Sequence, residues 1–230
     1  MTKVFIISAP SGSGKSTLVK GVRRVVPGLK FSISYTTRAP RGSEKDGCEY
    51  FFVSRSQFED MIARGEFLEH ADVFGNYYGT AKRFLSDAEQ SGQDLLLDID
   101  VQGAAQIKSK LPDAVSIFVL PPNRKTLEAR LRDRGQDAEP VIERRLATAT
   151  REIENYSKYD YILVNDRLPD SIEALKSILL AERLTRSGLE PPSEHAELIA
   201  TAERCRLRNV AEKVQPILAS FVTATAPGGR

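Results

Sequence analysis

The segment SAPSGSGKST, residues 8–17, contains residue types suited to binding phosphate groups. Gly12 and Gly14 let backbone N–H groups approach a ligand closely, because neither residue carries a Cβ atom. Lys15 supplies a cation for β- and γ-phosphate oxygens, and the hydroxyl of Ser16 is suited to ligate Mg²⁺. The predicted triphosphate-binding residues are Ala9, Pro10, Ser11, Gly12, Ser13, Gly14, Lys15, Ser16 and Thr17.

This loop departs in one position from the usual pattern GxxxxGK[ST], since Ala9 stands where the first Gly is expected. Alanine is small, so we expect the turn to form. The run Lys3–Ser8 predicts a strand before the loop, and Lys15–Val26 predicts a helix after it, which is the context that such a loop needs. A plain Gly/Ser-rich turn is the alternative interpretation.

Two carboxylates, Asp98 and Asp100, follow the apolar run Leu95–Leu97. Open α/β sheets bind ligands at the carboxyl ends of their strands, where an acid that orders Mg²⁺ is also needed. Alternation along a strand points the two side chains the same way, which favours a shared site. A strand that simply ends at a solvated acid is the alternative.

Arg38 and Arg41 are three residues apart in the loop SYTTRAPR, with Pro40 between them to stiffen the chain. Two guanidinium groups held in this way can bind one phosphate group. The hydroxyls of Tyr50 and Tyr78 are candidate donors to the same phosphate oxygens.

Strand-like and helix-like patterns alternate over most of the chain, which predicts an α/β fold with a doubly wound parallel sheet. The predicted strands of this sheet are Lys3–Ser8, Leu95–Ile99, Ala114–Leu120 and Tyr159–Val164. The predicted helices lie at 15–26, 101–110, 123–133, 139–157 and 170–187.

Residues 31–80 lack this alternation of strands and helices and predict an inserted, mainly β lobe. Short strands are expected at 31–35, 50–53 and 68–74, and a turn at 75–80. Ser54 and Gln57 form a capping-box pattern, which predicts a helix that ends at Gly65.

The last part of the chain, residues 188–230, has a different character. Residues 188–193 are linker-like, residues 194–214 have a helical pattern, Pro216 is expected to interrupt it, and the final residues are expected to be disordered. The amphipathic helix has three possible roles: packing on its own domain, joining a partner subunit, or remaining mobile. The sequence accordingly leaves open a monomer or a homo-oligomer.

Composition argues against several classes of protein. Apolar residues make up 41% and charged residues 28%, and no stretch approaches the ~20 apolar residues that a bilayer span requires. Cys48 and Cys205 are far apart and lack metal-site spacing, so a reducing cytosol is expected. The net charge of +2 gives no general attraction to nucleic acid or membranes.

Lys and Arg residues are concentrated between residues 124 and 145. A solvated helix face is the simplest interpretation of such a run. A lid that contacts phosphate groups is the alternative.

Taken together, the motifs resemble those of guanylate kinase. SAPSGSGKST, SYTTRAPR, DGCEYFF, EFLEHADVFGNYYGT, LLLDIDVQG, RLRDRGQD and YDYILVND follow in the order and spacing of that family. The resemblance covers roughly residues 3–187. It implies a P-loop nucleoside monophosphate kinase that transfers the γ-phosphoryl group of ATP, with Mg²⁺, to GMP and dGMP in cytoplasmic purine nucleotide metabolism.

The resemblance also assigns roles by position. Phosphate ligands of GMP are implied at Ser34, Arg38, Arg41, Tyr50 and Tyr78, and a guanine-reading pair at Glu69 and Thr80. Asp100 matches a nucleotide-facing acid, and Asp98 is a less certain match; either could assist Ser16 at Mg²⁺ through water. Lid and phosphate-contacting arginines are implied at Arg130, Arg134 and Arg145, with Arg145 also facing GMP, and an adenine-side contact at Asn165. The implied catalytic residues are Lys15, Arg38, Arg134 and Arg145.

The chemistry of guanine agrees with the role of Glu69. Guanine presents N1–H and N2–H₂ as donors, and one carboxylate accepts both. Adenine presents a bare N1 acceptor, so a buried carboxylate facing it would be unpaired, at a cost of roughly several kcal/mol.

The predicted organisation is a kinase domain at 1–187 followed by the segment 188–230. The domain has a core at 1–30 and 81–187, the GMP-binding insertion 31–80 and a lid at about 124–150, and the insertion and the lid are expected to move on closure. Two other functions are possible: an inactive guanylate-kinase-like module that binds proteins, or a kinase of the same fold that acts on another phosphorylated acceptor. The intact Lys15, Ser16, Arg38 and Glu69 argue against the first, and Glu69 and Thr80 against the second.

Overall fold

The computed structural model of the protein describes residues 2–73, 75–133, 138–185 and 193–222. The chain divides into two compact units. The first unit comprises residues 1–7 and 27–116, and the second comprises residues 8–26 and 117–230.

Parallel strands form the centre of the first unit. Strand β7 (Asp94–Asp98) pairs with β1 (Val4–Ser8) on one side and with β2 (Leu29–Ser32) on the other. Leu95, Leu96 and Leu97 are completely buried, as expected for a strand covered on both faces. Helices α3 (Arg83–Gln90) and α4 (Val101–Lys110) flank β7 in sequence.

A second, four-stranded sheet completes this unit, with the order β4-β3-β6-β5. Its strands are β3 (Tyr35–Thr36), β4 (Phe51–Phe52), β5 (Phe67–Val73) and β6 (Asn76–Ala81). Helix α2 (Arg55–Ala63) begins at the predicted capping box, in which Ser54 and Gln57 bond to each other's backbone N–H groups. Its buried Phe58 packs face to face on Phe67 of β5.

Two details of the predicted insertion are wrong. Residues 75–80 are not a turn, because Gly75, with φ of 81°, makes the reversal and the chain from Asn76 onward pairs with β5. The predicted strand 31–35 is divided: residues 29–32 pair with β7 in the parallel sheet, and only Tyr35 and Thr36 join the second sheet. The domain boundaries themselves remain a prediction.

In the second unit, β8 (Val115–Leu120) pairs in parallel with β9 (Tyr161–Val164), from Ile117 opposite Tyr161 onward. Helix α1 (Lys15–Val25) packs on α7 (Leu168–Thr185). Helices α5 (Arg124–Asp133) and α6 (Glu139–Ile153) lie between the two strands in sequence. A 3₁₀ turn, Glu154–Lys158, takes up the end of the helix predicted at 139–157.

The C-terminal segment forms two helices, α8 (Ala196–Arg204) and α9 (Leu207–Val222), rather than the single predicted one. Helix α9 continues through Pro216, so the predicted interruption is wrong. Proline costs an internal helix roughly 3 kcal/mol, but α9 offsets this by burying an apolar face against α5 and α6. The buried side chains of that face are Val210, Val214, Ile217 and Phe221.

Parallel strands separated along the chain by helices confirm the predicted α/β class with a P-loop at the end of β1. Among the described helices, none is long and apolar enough to cross a membrane.

Candidate active site

The phosphate-binding loop has the backbone that the sequence predicts, with Ala9 in place. Gly12 and Gly14 have φ of 93° and 84°, a region that residues with a Cβ rarely adopt. The Ser13 N–H donates to the Pro10 carbonyl at 3.1 Å, which closes the turn, and α1 begins at Lys15. The first N–H groups of α1 therefore lie beside the loop, as an anion site requires.

Two predicted nucleotide contacts, Asn165 and Arg130, hold the loop in place. The Asn165 side chain donates to the Ser13 carbonyl at 2.7 Å in a buried hydrogen bond. Arg130 donates to the carbonyls of Ser13 at 3.4 Å and Asn165 at 3.0 Å. A Cβ atom on Gly14 would lie 2.5 Å from Asn165 Nδ2, so the close approach also requires glycine there.

An open cleft of about 350 Å³ adjoins this loop. The Ser13 hydroxyl is buried and has no hydrogen-bond partner among the described residues. The cleft is lined by Gly12, Gly14, Thr17, Arg130, Asp133, Asn165, Asp166 and Leu168. A nucleotide in this cleft would lie against backbone amides, the Arg130 guanidinium and the Asn165 amide.

The remaining predicted donor-side residues are placed as follows. Lys15 is the first residue of α1 and is half-buried, and Ser16 follows it with an exposed side chain. Arg145 lies on α6 and is half-buried. Arg134 lies outside the described residues.

The loop with Arg38 and Arg41 is organised by Glu44, which the sequence analysis did not single out. Arg38 donates to Glu44 at 3.0 Å, and the backbone N–H of Arg41 donates to the same carboxylate at 2.7 Å. Burial raises the pKa of Glu44, but these hydrogen bonds outweigh it and leave the pKa below its usual value. As an anion, Glu44 therefore ties the Arg38 guanidinium to the backbone at Arg41.

Tyr50 and Tyr78 lie beside Arg38, as predicted. The rings of Tyr50 and Tyr78 meet edge to face with centroids 5.8 Å apart, and the Arg38 guanidinium lies 5.3 Å from the Tyr50 ring centroid. Burial lowers the pKa of Arg38, but Glu44 and Tyr78 more than offset this effect, so Arg38 stays charged. Ser34 holds the adjoining strand, because its carbonyl accepts from the Phe51 N–H at 2.9 Å.

Glu69 is the most perturbed acid of the site. It lies in β5 opposite Thr80 of β6 and is only 4% exposed. Burial raises its pKa to about 7; Thr80 opposes this shift, and the nearby charge of Asp100 adds to it. The Thr80 hydroxyl is fully buried and makes no hydrogen bond of good geometry among the described residues. The Glu69 carboxyl and the Thr80 hydroxyl are thus available to form hydrogen bonds with a polar ligand.

Asp98 and Asp100 do not occupy equivalent positions, contrary to the alternation argument. β7 ends at Asp98, and Asp100 is the N-cap of α4, where its Oδ1 accepts from the Gly103 N–H at 2.8 Å. Asp100 is therefore fixed by the helix that follows the strand. Glycine at position 103 was likewise not singled out; a Cβ atom there would lie 2.6 Å from Glu69 Oε2.

For a divalent metal, the chain offers hard oxygen donors next to the phosphate-binding loop. The exposed hydroxyl of Ser16, on the first turn of α1, is the type of ligand that Mg²⁺ accepts beside phosphate oxygens and water. Within the described ranges, no group of three or more His, Cys, Asp or Glu side chains is arranged to hold a metal.

Comparison with known proteins shows the family of the chain. The guanylate kinase family model matches residues 1–182. A guanylate kinase of Koribacter versatilis is 60% identical over 227 residues, 97% of each chain, so that match extends into the C-terminal segment. The guanylate kinase of Escherichia coli K12 is 49% identical over 186 residues, which are 80% of this chain and 90% of that protein.

A solved structure of a guanylate kinase is also similar to this chain. The crystal structure of guanylate kinase from Anaplasma phagocytophilum is similar with a TM-score of 0.66 at 34% identity, over 80% of this chain and 87% of that one. With a family model that matches most of its length and relatives at such identities, the chain belongs to the guanylate kinase family and is an ATP:GMP phosphotransferase.

Proposed function

We propose that the residues described above carry out the transfer of the γ-phosphoryl group of Mg²⁺-bound ATP to GMP, giving ADP and GDP. The observation that carries the acceptor assignment is the buried Glu69 carboxylate opposite Thr80, whose buried hydroxyl makes no hydrogen bond of good geometry among the described residues. Because the ribose 2′-hydroxyl has no part in this recognition, dGMP is also an expected acceptor.

Glu69 would read the guanine base. Its carboxylate can accept hydrogen bonds from N1–H and N2–H₂, and these bonds would compensate for the burial that now raises its pKa to about 7. Thr80 would complete the contact through its hydroxyl. Adenine offers an acceptor at N1, so its complex with ionised Glu69 would leave a buried charge unpaired.

Arg38 and Arg41 would bind the phosphate group of GMP, with Ser34, Tyr50 and Tyr78 as further donors. The Arg38 guanidinium now forms an ion pair with the Glu44 carboxylate, with 3.0 Å between nitrogen and oxygen. A dianionic phosphate would compete with that carboxylate for the guanidinium. The acceptor phosphate is already anionic near pH 7, so no general base is needed. The task of these residues is to orient one phosphate oxygen for in-line attack.

On the donor side, the loop amides, Lys15 and Thr17 would hold the ATP phosphates. Asn165 and Arg130 keep the loop in this conformation through the Ser13 carbonyl, and they line the cleft next to it. Arg145 and Arg134 are proposed to offset charge on the transferring group, as lid residues.

Mg²⁺ is the divalent metal that we propose for this reaction, with Ser16 as its protein ligand and Asp98 or Asp100 acting through water. The metal would supply charge neutralisation of the β- and γ-phosphate oxygens. We also propose that the enzyme acts in the cytoplasm, in purine nucleotide metabolism, where its free thiols Cys48 and Cys205 would stay reduced.

The activity is tested by ADP release with GMP, dGMP, AMP, IMP and UMP as acceptors, for the parent and two variants. Glu69→Gln should raise KM for GMP at least tenfold while KM for ATP changes less than twofold. Lys15→Ala should instead lower kcat by at least a hundredfold, since its ammonium group acts on the transferring phosphates. Equal effects of Glu69→Gln on both substrates, or no turnover of GMP by a folded parent, would overturn the assignment.

A further inference from the structure

One face of α4 contacts the backbone on both sides of Glu69. Gln106 Nε2 donates to the His70 carbonyl at 2.8 Å, and its Oε1 accepts from the His70 N–H at 3.3 Å. Lys110, one turn further along, donates to the Leu68 carbonyl. The side chains of Gln106 and Lys110 thus fix the β5 backbone immediately after and immediately before Glu69.

The third residue of this face, Gly103, adjoins Glu69 itself. Positions 103, 106 and 110 are spaced by three and four residues and share one side of the helix. A Cβ atom at Gly103 would lie 2.6 Å from Glu69 Oε2 and 3.0 Å from its Cδ. Gly103 lies in the first turn of α4, where glycine gives the helix less stability than a residue with a Cβ atom would, so its presence fits a need for this space.

The Glu69 carboxylate has little room to move away from such a group. It is almost fully buried, and it lies opposite Thr80 in the paired strands β5 and β6. The Gly103 N–H is also the donor to Asp100 Oδ1, so the same turn of α4 fixes the second acid near Glu69. A displaced Glu69 would therefore move relative to both Thr80 and Asp100.

We infer that Gly103 and Gln106 are positioning residues for guanine specificity: Gly103 leaves the space that the Glu69 carboxylate occupies, and Gln106 fixes the β5 backbone that carries it. This inference rests on the proposed role of Glu69. Neither residue needs to touch the substrate. Both act by keeping two carboxylate oxygens aligned with N1–H and N2–H₂ of the base.

The test compares kcat/KM for GMP with kcat/KM for IMP, which lacks the N2 amino group and so loses one of the two hydrogen bonds. Gly103→Ala should lower kcat/KM for GMP at least tenfold and reduce the GMP-to-IMP ratio at least threefold, with KM for ATP within twofold of the parent. Gln106→Ala should change the ratio in the same direction by a smaller factor. Gln106→Glu keeps the acceptor for the His70 N–H but sets a carboxylate oxygen against the His70 carbonyl, so its ratio should fall at least as far as that of Gln106→Ala.

Ser109→Ala, an exposed substitution on the same helix, is the control and should leave all parameters within twofold. If Gly103→Ala does not fold, the two Gln106 variants decide. Folded variants that lower stability but keep the GMP-to-IMP ratio of the parent would assign these residues a purely structural role and overturn the inference. Turnover of GMP by the parent tests the proposed function separately, since the readout of this test is the change in the GMP-to-IMP ratio between each variant and the parent.

Discussion

Glu69, the residue proposed to read guanine, carries a cost to folding. An isolated carboxyl group titrates near pH 4.5, whereas burial raises the pKa of Glu69 in the folded chain to about 7. Between these values the folded state binds the proton more tightly than the unfolded state. The ionised form therefore lowers the stability of the free protein, and this loss develops as the pH rises from about 4.5 and is complete above about 7.

Glu69→Gln should accordingly stabilise the nucleotide-free protein in a pH-dependent way. At pH 8 we expect a gain on the order of 2–3 kcal/mol, because the amide mimics the protonated acid and removes a buried charge. The gain should fall to less than about 1 kcal/mol at pH 5, where the carboxyl of the parent is protonated in the fold. Urea unfolding of both proteins at several pH values measures the difference, and a gain independent of pH would contradict the assigned cause.

For individual residues, the sequence predicted the residue type that a position requires better than it predicted which side chains contact each other. Gly12, Gly14 and Lys15 were recognisable because phosphate binding restricts the residue at each position. Glu44 was not, because an acid in a polar loop reveals its partner only when the loop is folded around Arg38. Gly103 was missed for a similar reason, since the atom that excludes a side chain there belongs to Glu69 on another element.

Among the elements, the C-terminal helices are tied to the edge strand β9. The Ile162 N–H donates to the Cys205 carbonyl at 2.8 Å, and the Leu207 N–H donates to the Asp160 carbonyl at 3.1 Å. Arg206 contributes its side chain as well: it donates to the buried Glu182 at 2.9 Å and lies 4.3 Å from the centroid of the Tyr161 ring. Of the three roles left open by the sequence, packing on the same chain is the one that the structure supports.

Arg206→Ala should destabilise the protein by about 1–3 kcal/mol, because it leaves Glu182 buried with less compensation. For a chain of this size the melting temperature should fall by roughly 3–10 °C. Arg208→Ala is the matched control, since Arg208 is exposed and its contact with Glu203 is a surface ion pair. Thermal unfolding of the two variants should differ clearly, and equal shifts would contradict a special role for Arg206.

The elements that the sequence misplaced or missed have different physical causes. Pro216 indicates a helix end locally, but burial of apolar side chains on either side of it keeps α9 intact. Helix α3 was not predicted because its eight residues place only Phe84 and Ala88 in the core, which is too short a pattern to recognise. The elements β7, a continuous apolar run, and α1, a helical pattern after the phosphate-binding loop, were predicted well because local pattern and burial agree there.

For the whole molecule, the two compact units contain different sets of proposed ligands. The GMP-side residues from Ser34 to Asp100 lie in the first unit, and the triphosphate-binding loop with Asn165 lies in the second. Each nucleotide should therefore protect its own set of backbone amides.

Hydrogen exchange measured by mass spectrometry tests this expectation. A non-hydrolysable ATP analogue with Mg²⁺ should slow exchange at residues 11–18, and GMP alone should slow it at 34–52 and 69–80. Lys15→Ala should weaken the first effect and Glu69→Gln the second. Protection of the loop at 11–18 by GMP alone, to the same extent as by the ATP analogue, would contradict the assignment of separate sites.

The contact between Cys205–Leu207 and β9 also bears on solubility. An uncovered strand edge offers unpaired N–H and C=O groups to any other strand, and proteins that aggregate often do so through such edges. Here the C-terminal segment occupies hydrogen-bonding groups of Asp160 and Ile162. A chain that ended before residue 193 would expose these groups. We therefore expect loss of the C-terminal segment to cause concentration-dependent association before it causes a loss of catalysis.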